Sequence, residues 1–142
     1  MKHKIALLVA VSIAAAFASN TFIPLPAWSS DGAREWKSPT AASERKNPVR
    51  PDQKSIASGR AVYQSECASC HGTGGRGDGK DGLDLNTRPA DLSSPPVTAQ
   101  SDGALFWKVT TGRRPMPGFR KDLSDEERWN LVNFIRTLTP RR

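Results

Sequence analysis

The sequence predicts an all-α fold of three main helices joined by long loops. Three observations predict it. Apolar residues recur at helical spacing in three segments bounded by helix start and stop residues. No segment shows the apolar–polar alternation of a half-buried strand. The stretches between the periodic segments are rich in Gly and Pro.

The first residues read as a leader. Lys2, His3 and Lys4 precede an apolar run from Ile5 to Phe17 that only Ser12 interrupts, and Ala16-Phe17-Ala18 supplies a small-x-small cleavage site. Residues 1–18 therefore read as a secretory signal peptide. The rival is an uncleaved membrane anchor. Ser19, Asn20 and Thr21 break the apolar run and Pro24 ends it, short of the roughly 20 apolar residues that span a bilayer. Both readings export the chain, which places it in the periplasm, soluble or N-terminally tethered.

Residues 19–53 hold Pro24, Pro26, Pro39, Pro48 and Pro51. Prolines at this density leave little room for a helix, so the segment is expected to be an extended arm, with Trp28 and Trp36 as its large apolar groups and packing through Trp36. Residues 54–142 form the domain. Its first helix is expected from Ser55, as N-cap, to about Cys67, with Ile56, Gly59, Tyr63 and Cys67 on one face. Gly59 costs that helix about 1 kcal/mol relative to Ala, which suggests a second backbone passing close by. Residues 72–82 form a glycine-rich loop. It lacks the preceding strand and the closing Gly-Lys-Ser/Thr of a phosphate cradle. Residues 83–100, with Pro89, Pro95 and Pro96, continue as loop. The second helix runs from about Asp102 to Thr111, capped by Ser101 or Asp102 and ended by Gly112. The third opens with a capping box, Ser124-Asp125-Glu126-Glu127, and reaches about Leu138 before Pro140. Trp129, Leu131, Val132, Phe134, Ile135 and Leu138 are its apolar side.

Composition bounds the rest. With 142 residues the chain makes one domain. Its hydrophobic content is 37% and its mean hydropathy −0.54, too polar for a multi-span membrane protein. An exported domain this small normally needs a staple. The only cysteines, Cys67 and Cys70, are too close in sequence to provide a long-loop disulfide. The net charge is +7. The basic residues do not cluster in runs and the chain is exported, so nucleic acid is not the expected partner; the ordinary reading is a soluble, mildly basic surface, and its functional variant is a basic patch facing an acidic protein partner.

The staple is legible in Cys67-Ala68-Ser69-Cys70-His71. Cys-x-x-Cys-His is a c-type haem attachment signature. Two thiols three positions apart on a helical turn each add to a vinyl group, and the following histidine lies under the porphyrin to offer its imidazole to iron. A thioredoxin-like dithiol would need a βαβ context, and a zinc site would need ligands the chain does not have: the other histidine is His3, in the leader. With Met1 also in the leader, Met116 is the remaining thioether for the second axial position. It stands between Pro115 and Pro117, which stiffen its loop. An open sixth position that takes a small molecule is the other reading, and core filler is the ordinary role of a lone Met.

From about Ile56 to Leu138 the chain resembles a bacterial class I, monohaem cytochrome c with an N-terminal extension. The resemblance rests on Gly59-x3-Tyr63-x3-Cys67-Ala68-Ser69-Cys70-His71-Gly72, on Met116-Pro117-x-Phe119, and on Leu131 and Phe134 of the last helix. It implies the cytochrome c fold around one covalently bound haem c, with Cys67 and Cys70 as thioethers and His71 and Met116 as axial ligands. It implies that Gly59 and Tyr63 cross Leu131 and Phe134. It also implies a proline carbonyl accepting the proximal imidazole N–H, for which Pro89 is the candidate. Leu105, Phe106, Val109, Phe119, Trp129 and Ile135 would bury the group, and Trp107 would either meet a propionate or pack. Arg113, Arg114, Arg120 and Lys121 would form a basic collar for acidic partners. The expected function is one-electron transfer without catalysis. The alternatives are a haem subunit of a larger periplasmic dehydrogenase and a ligand-binding or catalytic haem protein with an open site.

Overall fold

The computed structural model describes residues 36–138. The leader, the arm as far as residue 35 with Trp28, and the expected stop at Pro140 lie outside the described residues. Seven helical segments follow one another: α1 (Thr40–Ser43), α2 (Gln53–Glu66), α3 (Ala68–His71), α4 (Lys80–Leu83), α5 (Pro95–Thr98), α6 (Asp102–Thr111) and α7 (Asp125–Thr137). The three long ones, α2, α6 and α7, are the three expected from sequence. Among the described residues the only ladder pairing is an isolated antiparallel bridge between Arg113 and Met116.

The caps follow side-chain chemistry, with one correction. Helix α2 is capped three residues before the expected Ser55. Asp52 is its N-cap, and its carboxylate accepts from the Ser55 backbone N–H at 2.8 Å. A carboxylate also opposes the positive helix end better than a hydroxyl does. The Ser55 hydroxyl donates instead to the Arg50 carbonyl at 2.7 Å. Ser101, not Asp102, caps α6, and Gly112 ends it at φ +63°. Ser124 and Glu127 form the reciprocal capping box of α7. Two stretches expected to be plain loop contain single helical turns, α4 and α5, and the arm expected to be extended contains a third, α1, directly after Pro39. In α5 the prolines occupy the first turn, where their fixed φ suits a helix and their missing N–H is no loss.

Helices α2 and α7 cross at Gly59. A β-carbon built there would stand 1.9 Å from the Asn130 carbonyl oxygen and 2.9 Å from the Leu131 nitrogen. Only a residue without one permits this approach, which answers the helix cost of the glycine. One turn on, Tyr63 packs on Phe134 with ring centroids 5.0 Å apart. The core then runs through Leu131 and Val132 to Leu105, Phe106, Val109, Phe119, Trp129 and Ile135, all buried. Phe106 of α6 stacks on Trp129 of α7 at 4.0 Å.

Residues 36–52 lie on this body. Buried Asn133 of α7 accepts from the Asn47 amide at 2.7 Å and donates toward the Val49 carbonyl and the Ser55 hydroxyl, both at 3.2 Å. The Ser101 hydroxyl donates to the Ser43 carbonyl at 2.6 Å. Arg45 lies over the Phe106 ring at 4.7 Å, and Trp36 packs on Trp107 at 6.2 Å.

Candidate haem-binding site

Cys67 closes α2 and the next four residues form α3, so Cys67 to His71 occupy one turn: the Cys67 carbonyl accepts from the His71 N–H at 2.9 Å and from the Cys70 N–H at 3.2 Å. Both thiols are half-buried and unpaired. Burial, reinforced by Glu66 and Cys70, pushes the unattached Cys67 thiol up to about 12, which keeps it protonated at neutral pH.

The glycine-rich loop cages this turn instead of cradling a phosphate. The Gly77 N–H donates to the His71 carbonyl at 2.8 Å and the Gly79 N–H to the Cys70 carbonyl at 3.2 Å. A β-carbon at Gly79 would meet the Ser69 carbonyl oxygen at 2.3 Å, and one at Gly82 the Cys70 carbonyl oxygen at the same distance. The Tyr63 hydroxyl donates to the Gly72 carbonyl at 2.6 Å in the interior. That bond links α2 to the residue directly after the histidine.

The carbonyl facing the His71 ring belongs to Ala90, not Pro89. Nδ1 stands 3.1 Å from it. Pro89 serves the loop: its carbonyl abuts Gly77, and its ring abuts Gly82. Chain direction explains the shift by one residue, since successive carbonyls point to opposite sides of an extended segment. Burial pulls the His71 pKa down while the Ala90 carbonyl opposes that. The ring is thus neutral, with Nδ1–H donating and the Nε2 lone pair available.

Met116 sits on a turn closed by reciprocal backbone bonds with Arg113, at 2.9 and 3.0 Å. It is partly buried against the core. A cleft of about 560 Å³ separates this turn from the segment that carries Ala90. Asp84, Leu85, Asn86 and Thr87 line one side, Arg114 and Pro115 the other. Leu83, 55% exposed, is the one large apolar side chain left open among the described residues. It belongs to α4, whose Gly82 abuts Cys70. Two thiols on one turn and a neutral imidazole oriented by a carbonyl suit a flat apolar group held through sulfur; His71 and Met116 are not themselves among the residues that line the cleft.

The expected basic collar is divided. Arg113 lies 5.0 Å over the Trp36 ring, Arg114 lines the large cleft, and Arg120 lines a separate small one. Sequence reasoning missed Ala90, which carries no side-chain signal, and Asn133, whose burial follows from its place on α7.

Comparison with known proteins agrees with this geometry. Residues 54–135 match the family described as cytochrome C oxidase, cbb3-type, subunit III. The chain is 31% identical over 128 aligned positions to the alcohol dehydrogenase (quinone), cytochrome c subunit of Gluconobacter oxydans, covering 77% of this chain and 27% of that subunit. It is 28% identical over 80 residues to cytochrome c6 of Diacronema lutheri, covering 56% of this chain and 92% of that protein. A chain of the Kuenenia stuttgartiensis reducing HAO-like protein complex superimposes with a TM-score of 0.57 at 33% identity, over 66% of this chain and 47% of that one. The chain thus spans about a quarter of the first relative and about half of the solved one. With the cytochrome c fold and the Cys67–His71 turn in place, the chain belongs to this family of c-type cytochrome domains and carries a covalently bound haem c.

Proposed function

We propose that this protein is a single-haem electron carrier with His71 and Met116 as axial ligands, working between exported or membrane-bound redox proteins. When bound, haem c supplies an iron that gains and loses one electron. The chain's own residues set the terms of that exchange. Cys67 and Cys70 hold the group as thioethers, and the Ala90 carbonyl orients His71 and raises its basicity. A Met116 thioether, soft and neutral, favours ferrous over ferric iron, as does an apolar surround. Were His71 and Met116 both to hold the iron, small molecules would be kept from the metal and the exchange would be outer-sphere.

The observation that supports this reading is the Cys67–His71 turn with its imidazole oriented by the Ala90 carbonyl, together with a Met116 thioether held on a turn closed by Arg113. The test is the spectrum of the purified ferric holoprotein. A low-spin spectrum with the weak far-red sulfur-to-iron band is expected. High-spin iron whose ferrous form takes up carbon monoxide readily at neutral pH would establish the open-site alternative.

A second reading is favoured by the likeness to the alcohol dehydrogenase cytochrome subunit: a haem subunit working inside a larger dehydrogenase. The Trp36–Trp107 contact, flanked by Lys108 and Arg113, gives the N-terminal arm a fixed point from which to dock. Copurification with a large partner separates the two. Under either reading the redox partner presents acidic groups and association weakens with salt. Export follows from the leader, whether it is cleaved or kept as a tether. No helix among the described residues is long and apolar enough to cross a membrane.

A further inference from the structure

The molecule has a second concavity, away from the attachment turn. It is a cleft of about 180 Å³ lined by Arg45, Phe106, Thr110, Arg120, Asp125 and Arg128. Four parts of the chain meet there: the arm, α6, the loop after Met116, and the first turn of α7. We propose that it is a binding site for a compact oxyanion such as inorganic phosphate.

Charge is the first argument. Three guanidinium groups face one carboxylate, leaving two positive charges uncompensated around a concave surface. Of the three acids in the first turn of α7, only Asp125 lines the cleft; Glu127 is held by the Ser124 hydroxyl and N–H.

Geometry is the second. Arg128 is only 4% exposed. It donates to the Thr110 hydroxyl at 2.6 Å, to the Asp125 carboxylate at 2.5 Å and to the Ser124 carbonyl at 3.3 Å. These bonds fix the cleft's base and tie down Asp125. Arg45 reaches no closer than 3.9 Å to that carboxylate, beyond a hydrogen bond. Arg45 and Arg128 lie over the same Phe106 ring, at 4.7 and 4.9 Å. A guanidinium stacked on a ring keeps its N–H edge in plane and able to donate. Arg120 makes no hydrogen bond or ion pair with any described residue. A fixed Arg128 and two guanidiniums with no side-chain hydrogen bond to a described residue, Arg45 and Arg120, thus share one small space.

Size is the third. The cleft, at about 180 Å³, has room for several waters. That admits a tetrahedral dianion with part of its hydration shell. The dianion's charge matches the two uncompensated positive charges.

The test uses the haem-loaded protein, with inorganic phosphate as probe at a pH where it is the dianion, and sodium chloride of equal ionic strength as reference. Binding to the folded state raises the melting temperature by mass action. The expected result is a saturable rise with phosphate over chloride, reproduced by sulfate. Arg120→Gln and Arg45→Gln should each weaken it about tenfold or more, the loss of charge-assisted hydrogen bonds. Arg88→Gln, which removes an exposed charge outside the cleft, should leave it unchanged. Arg120 is exposed, so its variant folds and the test stays decisive. Phosphate acting no differently from chloride, or Arg88→Gln weakening the effect as much as Arg120→Gln, would overturn the proposal.

Discussion

Gly59 of α2 and Asn130 of α7 meet backbone to backbone, so closely that a β-carbon on the glycine would fall 1.9 Å from the Asn130 carbonyl oxygen. Neither partner can yield cheaply, because the obstacle is helix backbone and not the end of a side chain. Gly59→Ala would gain up to about 1 kcal/mol of helix propensity and lose more by forcing α2 and α7 apart. A net destabilisation of about 2 kcal/mol or more is expected, on the scale of overpacked cores. Denaturant unfolding of the holoprotein measures it; a variant as stable as the parent would refute the crossing.

Tyr63 serves the attachment turn through its hydroxyl. Tyr63→Phe removes the 2.6 Å bond to the Gly72 carbonyl, which keeps the Gly75 N–H at 3.1 Å, and should cost about 0.5–1.5 kcal/mol. The same residue predicts an alkaline signature. Burial first, then Cys67 and Asp78, push the phenol up to about 12. Once Cys67 is a thioether its charge is gone, and burial and Asp78 remain. The folded state thus holds the proton more tightly than the unfolded one, whose phenol titrates near 10. This stabilisation is complete below pH about 10 and is lost as pH climbs toward the folded value. Unfolding midpoints of the parent should fall through that window more steeply than those of Tyr63→Phe, and parallel curves would count against a buried phenol.

How far these features were legible depends on whether they are local. The capping box at Ser124, the glycine stop at Gly112 and the Cys67–His71 turn are chemistries of adjacent residues, readable before any fold is known. Gly59 was readable as an anomaly, a helix position that sacrifices propensity, while its partner came from family resemblance. Asp52 displaced Ser55 as cap because both fit the cap pattern and only the chain's path chooses between them. The carbonyl at His71 was misassigned by one residue because any residue supplies a carbonyl. The division of the arginines at 113, 114 and 120 among a ring and two clefts depends on tertiary placement alone, and their nearness in sequence suggested one patch.

Asn133 fastens the arm to the body. Its amide group reaches Asn47, the Val49 carbonyl and the Ser55 hydroxyl from a buried position. Asn133→Leu keeps the approximate volume and removes every one of those bonds, leaving the Val49 carbonyl without this donor and the Asn47 amide without this acceptor. A loss of about 2–3 kcal/mol is expected. Limited proteolysis should now cut within residues 44–51 of the folded protein while α2 and α7 stay intact. Protection equal to the parent's would show that Arg45, stacked on Phe106, holds the arm by itself.

Met116 combines packing with proposed ligation, and two substitutions separate them. Met116→Leu conserves volume, which in a core usually costs less than about 1.5 kcal/mol, and deletes the sulfur. Met116→Ala deletes both, and because the side chain is only partly buried its added cost should sit near or below the low end of the roughly 2–5 kcal/mol seen for buried Met→Ala changes. If the thioether binds iron, both variants lose the far-red band, show a lowered midpoint potential and bind carbon monoxide in the ferrous state, although only the alanine form is markedly less stable. If Met116 merely fills space, Met116→Leu keeps the parent's spectrum and potential. Potentiometry on the leucine variant alone therefore decides whether the turn closed by Arg113 and Met116 presents a ligand or a plug.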